Sequence, residues 1–149
     1  MDRIGYAIKR SSIYIDNALF TKHDVPLQIN DDERLFYISS GVNLYLQIGN
    51  GIPSETRIYR GVEGTVYLTS FRFIYKCHTG NFNSISLPYK VIQEITDDYE
   101  IVFLEDNLSM NIILSFNGVH KKVFLAEFKR IYQTIEKKEV ELPYYSDLV

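Results

Sequence analysis

Three histidines, one cysteine and two acidic clusters are the side chains of this 149-residue chain whose types could carry chemistry. His23, His78 and His120 stand far apart, and none has the short spacing by which a helix or loop presents two ligands to one metal ion. Cys77 and His78 are neighbours, so on a strand their side chains leave by opposite faces and do not make a nucleophile with its base. As the single cysteine, Cys77 rules out an intramolecular disulfide and a cysteine-rich zinc site; it is expected to be a small hydrophobe at a strand end in a reducing compartment. Asp31-Asp32-Glu33 and Asp97-Asp98 pair carboxylates, yet both fall at turn signals, where aspartate caps the backbone. No glycine-rich loop suits a phosphate. Nucleophile, base and stabiliser are not found together, so the sequence predicts no catalytic residue, no metal site and no cofactor.

The remaining candidates are basic. Arg57, Arg60, Arg72 and Lys76 are the residues that would meet a phosphoinositide headgroup, with Lys90, Lys121 and Lys122 as further bases; the competing reading is a scatter of charges on a solvated face. For Arg72 the structural reading, an ion pair or a packed stem at a hairpin, is favoured. A net charge of −3 argues against a domain that binds nucleic acid by broad neutralisation of phosphates. The first twenty residues lack the apolar core of a signal peptide, and no run approaches the roughly 20 apolar residues of a membrane span. A cytoplasmic or nuclear protein, neither secreted nor membrane-spanning, is expected.

The elements that must position these residues are mostly strands. With 46% hydrophobic residues, 12 Tyr, 9 Phe and no Trp, the composition is globular and aromatic, and the length suits one domain. Residues 64–77 form two runs of β-branched and aromatic residues joined at Thr69-Ser70, which predicts a β-hairpin. A second hairpin is predicted from Leu35-Phe36-Tyr37-Ile38 and residues 42–48, turning at Ser39-Ser40-Gly41; Val42, Leu44, Leu46 and Ile48 share one face. Residues 49–61 carry Gly49, Gly51 and Pro53 and are expected to be a surface loop. Ile85 and Leu87 alternate with Ser84 and Ser86 in a run that must end near Pro88, and residues 91–95 continue after the break. Residues 100–104 and 109–116 make a third hairpin.

Beyond Asn117-Gly118 the period changes. Phe124, Phe128, Ile131 and Ile135, widened by Leu125 and Tyr132, predict an amphipathic helix over 120–137, with Asn117 as its N-cap candidate. The fold class is therefore mainly β: about seven strands in a curved antiparallel sandwich or open barrel, its open end closed by one C-terminal helix. Residues 1–24 are read as an extension, 25–138 as the domain and 139–149 as a tail.

Residues 64–75, Gly-Thr-Val-Tyr-Leu-Thr-Ser-Phe-Arg-Phe-Ile-Tyr, resemble the hallmark of GRAM domains, and most of all the WW domain-binding protein 2 family. Residues 31–48 are similar to that family's preceding hairpin and residues 84–88 to its strand ending in proline, so the resemblance spans about residues 25–135. It implies a pleckstrin-homology-like fold and a non-enzymatic adaptor whose tail carries Pro-Pro-x-Tyr motifs for WW domains, with a part in transcriptional coactivation. This chain lacks that motif and has Leu142-Pro143-Tyr144-Tyr145, in which Leu142, Pro143 and Tyr145 fit the looser Leu-Pro-x-Tyr form. Pro143 favours polyproline II, which with Tyr145 would dock on an aromatic groove; the alternative is that both tyrosines fold back onto the domain. Another Leu-Pro-Tyr, at residues 87–89, lies within the predicted sheet and is read as structural. A protein-binding adaptor is the favoured function, and a membrane-surface phosphoinositide-binding module is the alternative.

Overall fold

In the computed structural model the described residues are 12–49, 56–105, 108–117 and 121–148, with side chains described except at 108–109 and 136–148. Strand β1 runs Leu35–Ile48, β2 Arg57–Thr69, β3 Arg72–Lys76, β4 Thr79–Gly80, β5 Ser84–Pro88, β6 Ile92–Ile95, β7 Glu100–Glu105 and β8 Leu108–Phe116. A 3₁₀ turn, Tyr89–Val91, separates β5 from β6, and helix α1 spans Lys121–Leu148. One antiparallel sheet runs in the order β5-β3-β2-β1-β8-β7-β6, with the two-residue β4 paired to β2. The β2–β3 and β7–β8 hairpins, the break at Pro88 and the helical stripe all stand where the sequence put them.

Strand β1 departs from expectation. Ser39-Ser40-Gly41 is no hairpin turn: the chain continues through it as one strand of 14 residues. Gly41 takes the left-handed φ of 74° and stands as an extra residue between the Ser40–Thr65 and Val42–Gly64 pairs, which makes a glycine bulge. The bulge moves the inward face from Tyr37 and Ser39 to Val42, Leu44, Leu46 and Ile48. Past it β1 gains a second partner, β8, across Val42–Phe116 to Ile48–Met110. The loop expected over 49–61 is also shorter, because Arg57 to Gly61 pair with β1 as the start of β2.

Two glycines on β2 make room for one ring. A Cβ on Gly61 or Gly64 would lie 2.6 or 2.4 Å from the Tyr75 ring, which is wholly buried and donates its hydroxyl to the Val42 carbonyl at 2.8 Å. The conspicuous glycine at the head of residues 64–75 is thus a space for Tyr75.

Helix α1 closes the open side of the curled sheet. Phe124 and Phe128 are fully buried, Ile131 nearly so; Phe124 meets Phe73 edge-on and Phe128 meets it at a tilt, with Tyr37, Phe116 and Tyr89 around them. Each such burial contributes about 1.5–3 kcal/mol. The helix continues past Lys137, where the apolar stripe stops, because Glu136 to Leu142 is a run of mostly strong helix formers. Residues 118–120 lie outside the described residues; Asn117 gives its side-chain amide to Glu63 and its N–H to the Gly41 carbonyl.

Sheet edge β5 is covered by residues 14–16. The Asp16 N–H donates to the Ser84 carbonyl at 2.7 Å, the Ser86 N–H to the Tyr14 carbonyl at 3.0 Å, and Ser12 hydrogen-bonds Glu105 at the end of β7. This short strap satisfies an edge that would otherwise offer unpaired backbone to another chain.

Candidate functional site

The β2–β3 turn is built by one threonine. Thr69 Oγ1 accepts the Phe71 and Arg72 N–H groups at 3.0 Å each and donates to Glu33 Oε2 at 2.7 Å. That places Arg72 at the head of β3 with its guanidinium directed inward. Its Nε donates to Glu33 Oε2 at 2.9 Å and its Nη2 to Glu33 Oε1 at 3.3 Å and to the Leu27 carbonyl at 2.8 Å. Nη1 donates to Ser86 Oγ at 3.0 Å, and the Ile29 N–H donates to Glu33 Oε1 at 2.8 Å. Glu33 is 2% and Arg72 5% exposed. Burial works to raise the Glu33 carboxyl, but the hydrogen bonds from Arg72, Thr69 and Ile29, together with the Arg72 charge, outweigh it and hold the group below its ordinary value. The pair is satisfied on every side and ties the segment before β1 to the hairpin and to β5.

Against this network lies a pocket of about 620 Å³. Tyr14, Ile29, Phe71, Pro88, Tyr89 and Ile135 give it apolar walls, brought from the strap, the segment before β1, the β2–β3 turn, the end of β5 and the helix. Tyr89 is buried and donates its hydroxyl to the Thr69 carbonyl at 2.8 Å; burial, then the nearby Glu33 charge, pushes that phenol well above its usual range. Asn17, Ser70, Arg72, Ser86 and Lys90 supply the polar lining. Ser70 and Ser86 already accept one bond each, from the Arg34 N–H and from Arg72, so each retains its own O–H to give. A concave apolar surface with a few convergent polar groups is the general form of a binding site.

The bases singled out in the sequence do not come together. Arg57 stacks on Tyr59 at 5.5 Å and Arg60 on Tyr45 at 5.4 Å, both exposed on β2. Arg72 is buried in the network just described, and Lys76 pairs with Asp24 at 2.8 Å while lying over the Phe20 ring. Leu142, Pro143 and Tyr145 fall within helix α1, but their side chains lie outside the described residues. Cys77 is half-buried; burial, and then the Asp16 charge, push its thiol up to about 11, which leaves it little nucleophilic. His120 lies outside the described residues, and among those described no group of His, Cys, Asp and Glu could hold a metal ion.

Glu33 and the pocket were not visible as a site in the sequence. Glu33 looked like the end of an acidic turn, and Asn30 does cap that turn by accepting the Asp32 N–H at 2.8 Å. An arginine at a hairpin head with no acid nearby in the chain was the one available signal. Leu87-Pro88-Tyr89 is structural as expected, yet Pro88 and Tyr89 also line the pocket.

No protein-family model and no curated protein matches the chain. Among solved structures it is similar to the Vps36 N-terminal PH domain, at TM-score 0.55 and 19% identity, over 80% of this chain and 93% of that one. At that identity the likeness shows the fold, and the fold is pleckstrin-homology-like: a curled antiparallel sheet closed by a C-terminal helix. Membership of the WW domain-binding protein 2 family finds no support in these comparisons. Among the described residues no helix is long and apolar enough to cross a membrane.

Proposed function

We propose that this chain is a non-catalytic interaction module that binds a protein partner through the pocket beside the β2–β3 turn. The pocket itself carries the reading: its walls are apolar, one of them is Phe71, 37% exposed, and its floor is fixed by the satisfied Glu33–Arg72 pair. Pleckstrin-homology-like folds serve many binding roles, so the fold is compatible with this function without selecting it.

Panning a random-peptide phage library on the full chain tests the reading. Peptides selected on the protein should lose binding to Asn17→Trp, which fills the pocket from an exposed residue with no hydrogen bond of its own among those seen. Peptides that bind this variant equally well would sink the pocket as the docking site.

The finer reading is an adaptor like the WW domain-binding protein 2 family, with a part in transcriptional coactivation, contacting WW domains through Leu142, Pro143 and Tyr145. Its support is the resemblance of residues 64–75 and the Leu-Pro-x-Tyr element. WW domains take an extended polyproline II ligand, whereas α1 runs through Pro143 to Leu148, so use of the motif requires the helix end to unwind. Pro143 has no N–H for the helix ladder, which lowers the cost of unwinding there. A peptide of residues 139–149 should bind members of a WW-domain panel and lose them on Tyr145→Ala; binding to none of the panel removes the tail from the proposal. The phosphoinositide alternative is weakened because Arg72 is buried against Glu33 and Lys76 pairs with Asp24.

A further inference from the structure

Taking the pocket as the docking site, we infer that its occupant is a peptide segment bearing a large apolar side chain within two residues of a carboxylate, the apolar group seated between Phe71, Pro88 and Ile135 and the carboxylate held by Lys90. The charge distribution around the pocket argues for this occupant. Two cations stand among the described lining residues, and one of them is already neutralised: Arg72 spends its charge on Glu33, whereas Lys90, exposed on the 3₁₀ turn, has no ion-pair or hydrogen-bond partner among the described residues. Among the described lining residues none is a carboxylate. The other polar groups there are also donors with protons to give, the hydroxyls of Ser70 and Ser86 and the amide of Asn17. An apolar wall beside a rim of unopposed donors is complementary to a ligand that is apolar at one point and an anionic acceptor at the next.

The geometry favours a peptide over a lipid headgroup. A phosphoinositide carries several phosphates and is held by clustered bases, whereas the described lining of this pocket offers a single free cation and six apolar walls. One lysine at the edge of an apolar cavity matches one carboxylate.

The test uses the full chain and the tightest peptide from the phage selection, measured by fluorescence polarisation with its acid intact and with that acid changed to the amide. Lys90→Ala should weaken the acidic peptide about three- to fivefold at low salt, the upper end for an exposed ion pair, and leave the amide peptide unchanged. Lys90→Glu should make the amide peptide the preferred one. Added salt should erase the difference between the two peptides. Equal binding of acid and amide peptides to the wild-type chain would overturn the charge inference while leaving the pocket reading intact. Peptides indifferent to Asn17→Trp would overturn the pocket reading itself. Vesicles of phosphatidylcholine with phosphatidylinositol phosphates supply the last arm: sedimentation with them that is lost on Lys90→Ala, where no peptide shows the same loss, would assign Lys90 to a headgroup and overturn the proposal. Because Lys90 is exposed, circular dichroism and melting of its variants should match the wild type.

Discussion

Arg72 and Arg60 stand on paired strands and serve opposite ends. Arg72 is buried, donates four hydrogen bonds to three residues and holds the β2–β3 turn to the segment before β1. Arg60 lies in the open over the Tyr45 ring. The difference shows that a basic residue in this fold is either scaffold or surface according to whether a buried carboxylate faces it, and that its neighbours in sequence do not decide which. Three of the four bases that the sequence grouped as a headgroup site differ in this respect: one buried, one paired at the surface, one stacked on a ring.

The comparison can be broken most forcefully at Glu33. Glu33→Ala leaves the Arg72 charge buried without its partner and should cost about 3–5 kcal/mol in urea unfolding. A loss below about 1 kcal/mol would mean that the pair is not the tie described here. Acid should remove the same contribution by degrees. Since the folded carboxyl titrates below its ordinary value, its stabilisation is complete above about pH 4.5 and is lost as the pH falls through the lowered value. The stability difference between wild type and Glu33→Gln should therefore shrink on acidification below that point, and a constant gap would contradict the assignment.

A smaller effect is expected at Gly64. Its added Cβ meets the Tyr75 ring at 2.4 Å and the Lys76 carbonyl oxygen at 2.6 Å, so Gly64→Ala should destabilise by about 1–3 kcal/mol, the usual range of overpacking. An unchanged melting midpoint would show that the ring can move aside. Arg60→Ala should cost least, about 0.5–1 kcal/mol for an exposed cation over a ring. If its loss approached that of Glu33→Ala, the division into scaffold and surface arginines would fall.

Much of the sheet was legible because its signals are local. Residues 64–77 are two runs of β-branched and aromatic residues that turn within two residues, and the stripe of Phe124, Phe128 and Ile131 needs only the period of a helix. Errors arose where one local signal serves two structures. Ser-Ser-Gly suits a turn by composition, yet a glycine with positive φ also makes a bulge, and the choice was settled by β2 and β8 pairing along β1. The apolar stripe of α1 stops near Ile135, whereas helix propensity carries the backbone on to Leu148. The site was least legible of all. Glu33 and Arg72 are 39 residues apart, and the pocket gathers residues from position 14 to position 135, so no window along the chain contains it. Lys90 was among the bases noted, but only the fold shows that it alone of the two lining cations is free among the described residues.

The bulge at Gly41 works like a shift in reading frame. Just before it, Tyr37 and Ser39 turn toward the core; after it, the even-numbered Val42, Leu44, Leu46 and Ile48 do. Deleting one residue there would not merely shorten the strand. It would set the two halves in a single phase, so that, with Val42 to Ile48 held by pairing on both sides, Phe36 and Ile38 would exchange places with Tyr37 and Ser39. Removing Gly41 alone would thus change which side chains of the first half of β1 meet the core, not only the length of the strand.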